Sequence, residues 1–78
     1  MMTRGEYQVG IDFNPSADDM VGQIKRKAAD LIDLINSVDA QHPERFRLKA
    51  LAITAIEEGA MWGVKAATKP PRPEEKDA

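Results

Sequence analysis

The sequence contains no cysteine, so disulfide bonds and thiolate metal sites are excluded. With one histidine, His42, the chain has too few ligands for a typical zinc site built from protein side chains. A 78-residue chain forms one small domain with a marginal hydrophobic core, and such domains are usually stabilised by disulfides, a metal or oligomerisation. With the first two routes set aside, self-association is the expected source of stability, and neither a metal nor a cofactor is expected.

Long apolar runs and a strong charge of one sign are also absent. No run approaches the length of a membrane span, and the N-terminus lacks the apolar region of a signal peptide. The formal net charge of −2 differs from the strongly basic balance of nucleic-acid-binding proteins. We therefore expect a cytoplasmic protein without a membrane, DNA or RNA partner.

Residues 1–15 are predicted to form an extended N-terminal arm. Apolar side chains stand at every second position from Tyr7 to Phe13 and alternate with polar residues or glycine, which is typical of an extended segment with one apolar face. Pro15 favours extended geometry at Asn14 and ends the arm.

Two helices follow, over about residues 16–37 and 43–68. Ser16 is a suitable N-cap for the first helix, and Pro43 suits the first position of the second. The apolar positions of the first helix are spaced 3, 4, 3, 4 and 3, as in a heptad seam: Val21, Ile24, Ala28, Leu31, Ile35 and Val38.

Prolines end the second helix, and residues 69–78 are predicted to be a disordered, proline-rich and charged tail. The short connection between the two helices predicts an all-α fold, an antiparallel helical hairpin over residues 16–68.

The second helix carries more apolar surface than the first can cover. Its apolar side chains span an arc of roughly 200°, whereas a helix that faces one core needs a stripe only somewhat wider than about 100°. Gly59 and Gly63 each cost about 1 kcal/mol relative to alanine in a helix interior, and close helix approach would offset that cost. We therefore expect the hairpin to assemble into a homo-oligomeric helical bundle.

Catalytic residues are not expected. Glu57 and Glu58 are adjacent and point about 100° apart on a helix, so they cannot face each other as an acid–base pair within one chain. His42 lies in a loop beside proline, without a nucleophile motif. We therefore predict that the protein is not an enzyme. The basic run from Lys25 to Lys27 allows two interpretations, a solvated helix face or an anion-binding surface.

Two segments resemble the two-helix sponge proteins that phages use against CBASS and Thoeris immunity. The first reads Ile-Asp-Phe-Asn-Pro over residues 11–15 and Ile-Lys-Arg-Lys-Ala-Ala-Asp-Leu over residues 24–31. The second begins at Arg47 and contains Glu-Glu-x-x-Met-Trp over residues 57–62. The resemblance covers roughly residues 11–69.

This resemblance implies a helical hairpin that assembles as a homohexamer, a trimer of dimers. It implies that the protein binds cyclic dinucleotides, cyclic trinucleotides or cyclic ADP-ribose isomers without cleaving them. Sequestration would deprive the bacterial immune effector of its signal, in the cytoplasm of the host bacterium if the chain is encoded by a phage.

The resemblance also implies a set of ligand-binding residues. Lys25 aligns with the family's phosphate-binding basic position, and Phe13 aligns with a tyrosine that stacks on a base. Arg47 falls on a separate pocket for cyclic trinucleotides, with Lys27 where a neighbouring contact would be, and Asn14 stands where some relatives have histidine.

The alternative is a structural or adaptor module, a helical-hairpin oligomer without a small-molecule ligand. It requires only the wide apolar arc of the second helix. In the sponge interpretation, by contrast, Phe13 and Lys25 contact the nucleotide, while the stretch from Glu57 to Trp62 packs the oligomer and does not touch the ligand.

Overall fold

The computed structural model describes residues 1–15 and 17–72. Three helices occur in these ranges, α1 (Arg4–Val9), α2 (Asp19–Asn36) and α3 (Pro43–Thr68), and the described residues form no strand. The prediction of an all-helical fold is therefore confirmed.

Helices α2 and α3 form an antiparallel hairpin. Ile24, near the start of α2, lies against Gly63, near the end of α3. At the other end, Lys49 Nζ donates to the carbonyl oxygen of Val38 over 3.0 Å. This bond ties the start of α3 to the connection that follows α2.

The prediction of an extended arm is wrong for residues 4–9, which form α1. The helix begins with a capping box, in which Thr3 Oγ1 accepts from the backbone N–H of Glu6 and Glu6 Oε1 accepts from the backbone N–H of Thr3. Gly10 ends it in the left-handed conformation at φ 64°, which glycine adopts without a steric penalty. These local hydrogen bonds outweigh the alternation of apolar side chains.

Helix α2 begins at Asp19, three residues later than predicted. Asp18 is its N-cap, because Asp18 Oδ1 accepts from the backbone N–H of Met20 over 2.8 Å. The Asn14 side chain holds this cap in place, donating to the carbonyl oxygen of Asp18 and accepting from its backbone N–H. The predicted N-cap, Ser16, lies outside the described residues.

Helix α3 occupies residues 43–68, the bounds predicted from the sequence, with proline at its first position. Of the predicted disordered tail, residues 73–78 lie outside the described part of the chain. None of the helices within residues 1–15 and 17–72 is long and apolar enough to cross a membrane.

The buried face of α2 differs from the predicted heptad seam. Its buried residues are Val21, Lys25, Ala29 and Ile32. Leu31 and Val38, both in the predicted seam, are exposed. The reason is that α2 packs against α1 on one side and α3 on the other, so its buried line lies between these two contacts.

The helices form a single layer, 56 × 27 × 12 Å in extent, and they bury little apolar surface. Among the described residues, Ile32 and Ile53 are the largest fully buried side chains. Many large apolar side chains remain exposed on α2 and α3: Met20, Leu31, Leu34, Phe46, Leu48, Leu51, Met61 and Trp62. Because domains normally bury their apolar faces between two layers, a large apolar surface of this hairpin stays uncovered within one chain.

Candidate ligand-binding groove

An open groove of about 690 Å³ lies where α1 and the loop after it meet α3. Helix α1 and its loop contribute one wall, α3 contributes the other, and α2 contributes a single side chain, Lys25. The polar and aromatic side chains that line the groove are Tyr7, Gln8, Phe13, Lys25, Thr54, Glu57 and Glu58.

Lys25 is a buried cation held by backbone carbonyl groups. The residue is 7% exposed, and its Nζ atom donates to the carbonyl oxygens of Gly10, over 2.9 Å, and of Phe13. Among the described residues, no carboxylate forms an ion pair with it. An ammonium group has three donors, so two are used by the loop and one is left for a ligand.

Phe13 lies beside this ammonium group. The centroid of its ring is 5.4 Å from Lys25 Nζ, within the range of a cation–π contact. The residue is 73% exposed, so its ring has surface available for stacking. Phe13 and Lys25, both predicted to contact the ligand, therefore lie together at the edge of the groove.

Two carboxylates, neither of them a predicted ligand-binding residue, line the opposite wall. Glu57 Oε2 accepts from Gln8 Nε2 over 2.7 Å, and Glu58 Oε1 lies 3.5 Å from Trp62 Nε1. Met61 lines the same wall. The prediction that this stretch packs the oligomer and does not touch the ligand stays a prediction. Gln8 was also missed, although the capping-box spacing of Thr3 and Glu6 could have predicted α1.

The remaining predicted site residues lie elsewhere. The amide of Asn14 holds the backbone of Asp18, the N-cap of α2, and Asn14 also borders a smaller hollow beside Phe13 and Lys25. Arg47 forms an ion pair with Glu44 over 2.6 Å on the exposed first turns of α3, and this hydrogen bond raises the pKa of Arg47. Lys27 is exposed on α2 and does not line the groove.

Polar contacts fix α1 on α2 and so fix one wall of the groove. The backbone N–H of Gly5 donates to Asp33 Oδ1 over 2.7 Å. Arg26 forms ion pairs with Glu6 over 2.8 Å and with Asp30 over 2.7 Å. The hydrogen bond from Arg26 lowers the pKa of Glu6, and the same bond raises the pKa of Arg26.

The groove thus combines one cation, two exposed aromatic rings and two carboxylates, a set suited to binding a ligand that has anionic, flat and hydrogen-bond-donating parts. In residues 1–15 and 17–72, no group of three or more histidine or carboxylate side chains could hold a metal ion.

Comparison with known proteins identifies one family. A family described as Acb2/Tad1, hairpin domain, matches residues 6–68, which is most of the chain and includes both walls of the groove. No curated protein and no solved structure matches the sequence.

Proposed function

The chain belongs to the Acb2/Tad1 hairpin family, the anti-CBASS and anti-Thoeris sponge family, and from this membership we propose that it binds and sequesters cyclic oligonucleotide immune signals without cleaving them. The expected ligands are cyclic dinucleotides, with cyclic trinucleotides or cyclic ADP-ribose isomers as further members of the class. Sequestration in the bacterial cytoplasm blocks anti-phage signalling by lowering the free concentration of the signal.

The observation that carries this proposal is the buried ammonium group of Lys25. A buried cation without a carboxylate partner has a high desolvation cost, which the two loop carbonyls offset in part. A phosphodiester carries a permanent negative charge and is a strong acceptor. It therefore matches both the charge and the third donor of Lys25.

Phe13 supplies the second element of nucleotide recognition. Stacking of a base on an aromatic side chain contributes about 1–3 kcal/mol in single-stranded nucleic-acid complexes. Because the Phe13 ring adjoins the Lys25 ammonium group, one subunit can contact a phosphate and an adjacent base together.

We also propose that the protein is a homo-oligomer, with a hexamer built as a trimer of dimers following from the family. A cyclic dinucleotide has two phosphates and two bases, and a two-fold interface supplies each protein contact twice. The exposed apolar side chains of α2 and α3 provide surface for this assembly. Gly59 is open within one chain, since no atom lies within 4 Å of the position that its Cβ would occupy, and it leaves room for close approach by a neighbouring subunit.

Asn14, Lys27 and Arg47 are retained in the proposal with different roles. Asn14 acts through the loop that carries Phe13, since its side chain fixes the end of that loop on Asp18. Lys27 and Arg47 are assigned to a separate pocket for cyclic trinucleotides, away from the groove. The second pocket rests on the family resemblance.

A structural or adaptor oligomer without a small-molecule ligand is the alternative. The exposed apolar side chains favour it equally, because any assembly would cover them. It accounts for the bonds from Lys25 to the loop carbonyls, but it gives no role to the third donor of Lys25 or to the exposed Phe13 ring beside it.

Calorimetric titration with cyclic di- and trinucleotides and cyclic ADP-ribose isomers tests the proposal. At least one ligand is expected to bind and to be recovered intact after the protein is denatured by heat. Binding of none would refute the proposal, and recovery of linear products would refute sequestration without cleavage.

Lys25→Met tests the buried cation directly, because methionine keeps the apolar stem and removes the charge. We expect cyclic dinucleotide binding to weaken by about 1.5–3 kcal/mol, the value of a hydrogen bond to a charged group. Lys69→Met is the matched control, since Lys69 is an exposed lysine just after α3 and lies outside the groove. Equal affinities for the two variants would remove Lys25 from the site.

A further inference from the structure

A hydrogen-bonded relay connects α1 with the carboxylate wall of the groove. Arg4 Nε donates to Gln8 Oε1 over 2.7 Å, and Gln8 Nε2 donates to Glu57 Oε2 over 2.7 Å. Because Arg4 can only donate, it fixes which end of the Gln8 amide carries the oxygen, and the NH₂ group is therefore directed to Glu57. The relay leaves Glu57 Oε1 and a further lone pair of Oε2 available in the groove.

The charge of this wall restricts what it can contact. Glu57 and Glu58 form no ion pair with any residue that the structure describes, and Lys25 is the cation that lines the groove. The phosphates of an anionic ligand would be repelled by two carboxylates. A nucleotide fits here only if it turns its phosphates toward Lys25 and presents N–H donors to the opposite wall.

The bases differ in the donors that they can present. Guanine has two adjacent donors on its Watson–Crick edge, the N1–H and the N2 amino group, which match the two oxygens of one carboxylate. Adenine has one amino donor beside N1, and N1 is an acceptor that a carboxylate repels. A carboxylate held at the base therefore discriminates between the two purines.

Resting on the function proposed above, we infer that Glu57, held in position by Gln8, recognises the N1–H and N2 amino groups of guanine. The groove then prefers guanine-containing cyclic dinucleotides over those that contain only adenine. Glu57 is assigned this role rather than Glu58 because Glu57 is half-buried and held by the 2.7 Å bond from Gln8. Glu58 is exposed, and its contact with Trp62 is long, at 3.5 Å.

The test compares cyclic di-GMP with cyclic di-AMP in calorimetric titrations of the full chain. A bidentate contact to a base edge is worth about 1–3 kcal/mol of discrimination, so the dissociation constants are expected to differ by roughly 5- to 150-fold in favour of cyclic di-GMP. Glu57→Gln keeps the size and the contact with Gln8 but adds a donor and removes the charge. It is expected to bring the ratio of the two constants close to one.

Gln8→Leu tests the positioning role through the same ratio. A general loosening of the fold would weaken the binding of both ligands alike. Loss of the relay is instead expected to weaken cyclic di-GMP binding and leave cyclic di-AMP binding little changed, so that the ratio of the two dissociation constants falls. For Glu57→Gln, the matched control is Glu44→Gln. It makes the same chemical change at an exposed carboxylate that pairs with Arg47 outside the groove, and the ratio is expected to stay at the wild-type value.

Each outcome separates this inference from the function on which it rests. Binding of neither ligand or any related cyclic nucleotide would refute the proposed function. Equal binding of both ligands by the wild-type protein would overturn the guanine preference alone. A preference that survives in Glu57→Gln, or that falls equally in Glu58→Gln, would overturn the assignment to Glu57.

Discussion

Replacement of Gly5 by alanine is expected to detach α1 from the hairpin. Gly5 is buried against α2, and a Cβ atom placed on it would lie 2.1 Å from the carbonyl oxygen of Ala29 and 2.9 Å from the Ala29 Cα. Real Cβ contacts shorter than 3.0 Å are essentially never seen. Because the obstacle is backbone rather than a flexible side chain, α1 must move away from α2 by about an ångström.

The loss of stability in Gly5→Ala is the sum of two unfavourable contributions and one favourable contribution. Overpacking of this kind typically costs about 1–3 kcal/mol. Movement of α1 also strains the bond from the Gly5 N–H to Asp33, and hydrogen bonds to charged groups are worth about 1.5–3 kcal/mol. The better helix propensity of alanine returns at most about 1 kcal/mol. Together these contributions give a net loss of about 1.5–5 kcal/mol, and the free energy with which α1 docks on α2 sets its upper limit.

Thermal unfolding measures the effect, with Gly63→Ala as the matched control. A Cβ on Gly63 would lie 3.5 Å from Ile24 Cγ2, an ordinary van der Waals contact, so this variant keeps the propensity gain without the clash. A change of 1 kcal/mol shifts the midpoint by about 4–8 °C in a domain of this size. Gly5→Ala is expected to melt at least about 4 °C below the wild type, and Gly63→Ala at or above it.

The same variant connects stability with binding. When α1 moves, Tyr7 and Gln8 leave the wall of the groove, so Gly5→Ala is expected to bind cyclic dinucleotides more weakly than Gly63→Ala does. A Gly5→Ala midpoint equal to that of Gly63→Ala would refute the reasoning, because it would mean that α1 does not rest on the backbone of Ala29.

Two further predictions concern assembly and pH. Gly59 is open within one chain, and in the proposed oligomer a Cβ there would meet a neighbouring subunit. Gly59→Ala is therefore expected to weaken self-association, seen as a lower mass by light scattering at limiting concentration, and an unchanged mass would exclude Gly59 from the interface. Arg26 lowers the pKa of Glu6 below its ordinary value of 4.5, so this carboxylate stabilises the fold at higher pH, and its contribution is lost as the pH falls below 4.5. The midpoint of Glu6→Gln is therefore expected to lie below that of the wild type at neutral pH and to converge with it in acid, and a constant difference would contradict the pair with Arg26.

The sequence by itself determined the helical class and the hairpin. Helix α3 runs from Pro43 to Thr68, and both ends depend on proline, at the first position and shortly after the last. Such signals act within one or two turns of the chain, so they can be recognised without knowledge of the neighbouring helices. The N-cap of α2 at Asp18 and the capping box of α1 are signals of the same kind, although the cap was expected at Ser16 and the alternation of apolar residues obscured the capping box.

The tertiary structure alone decided which surfaces of these helices are used. The apolar period of a helix carries no information on how many other helices pack against it. The heptad pattern of α2 therefore predicted a seam that faces one partner, with Lys25 on the polar side. Docking of α1 on the other side of α2 buries Lys25 under the carbonyls of Gly10 and Phe13. It also brings Gln8 to Glu57, 49 residues later in the chain. The groove exists because three helices pack together there, and no local pattern in the sequence predicts that contact.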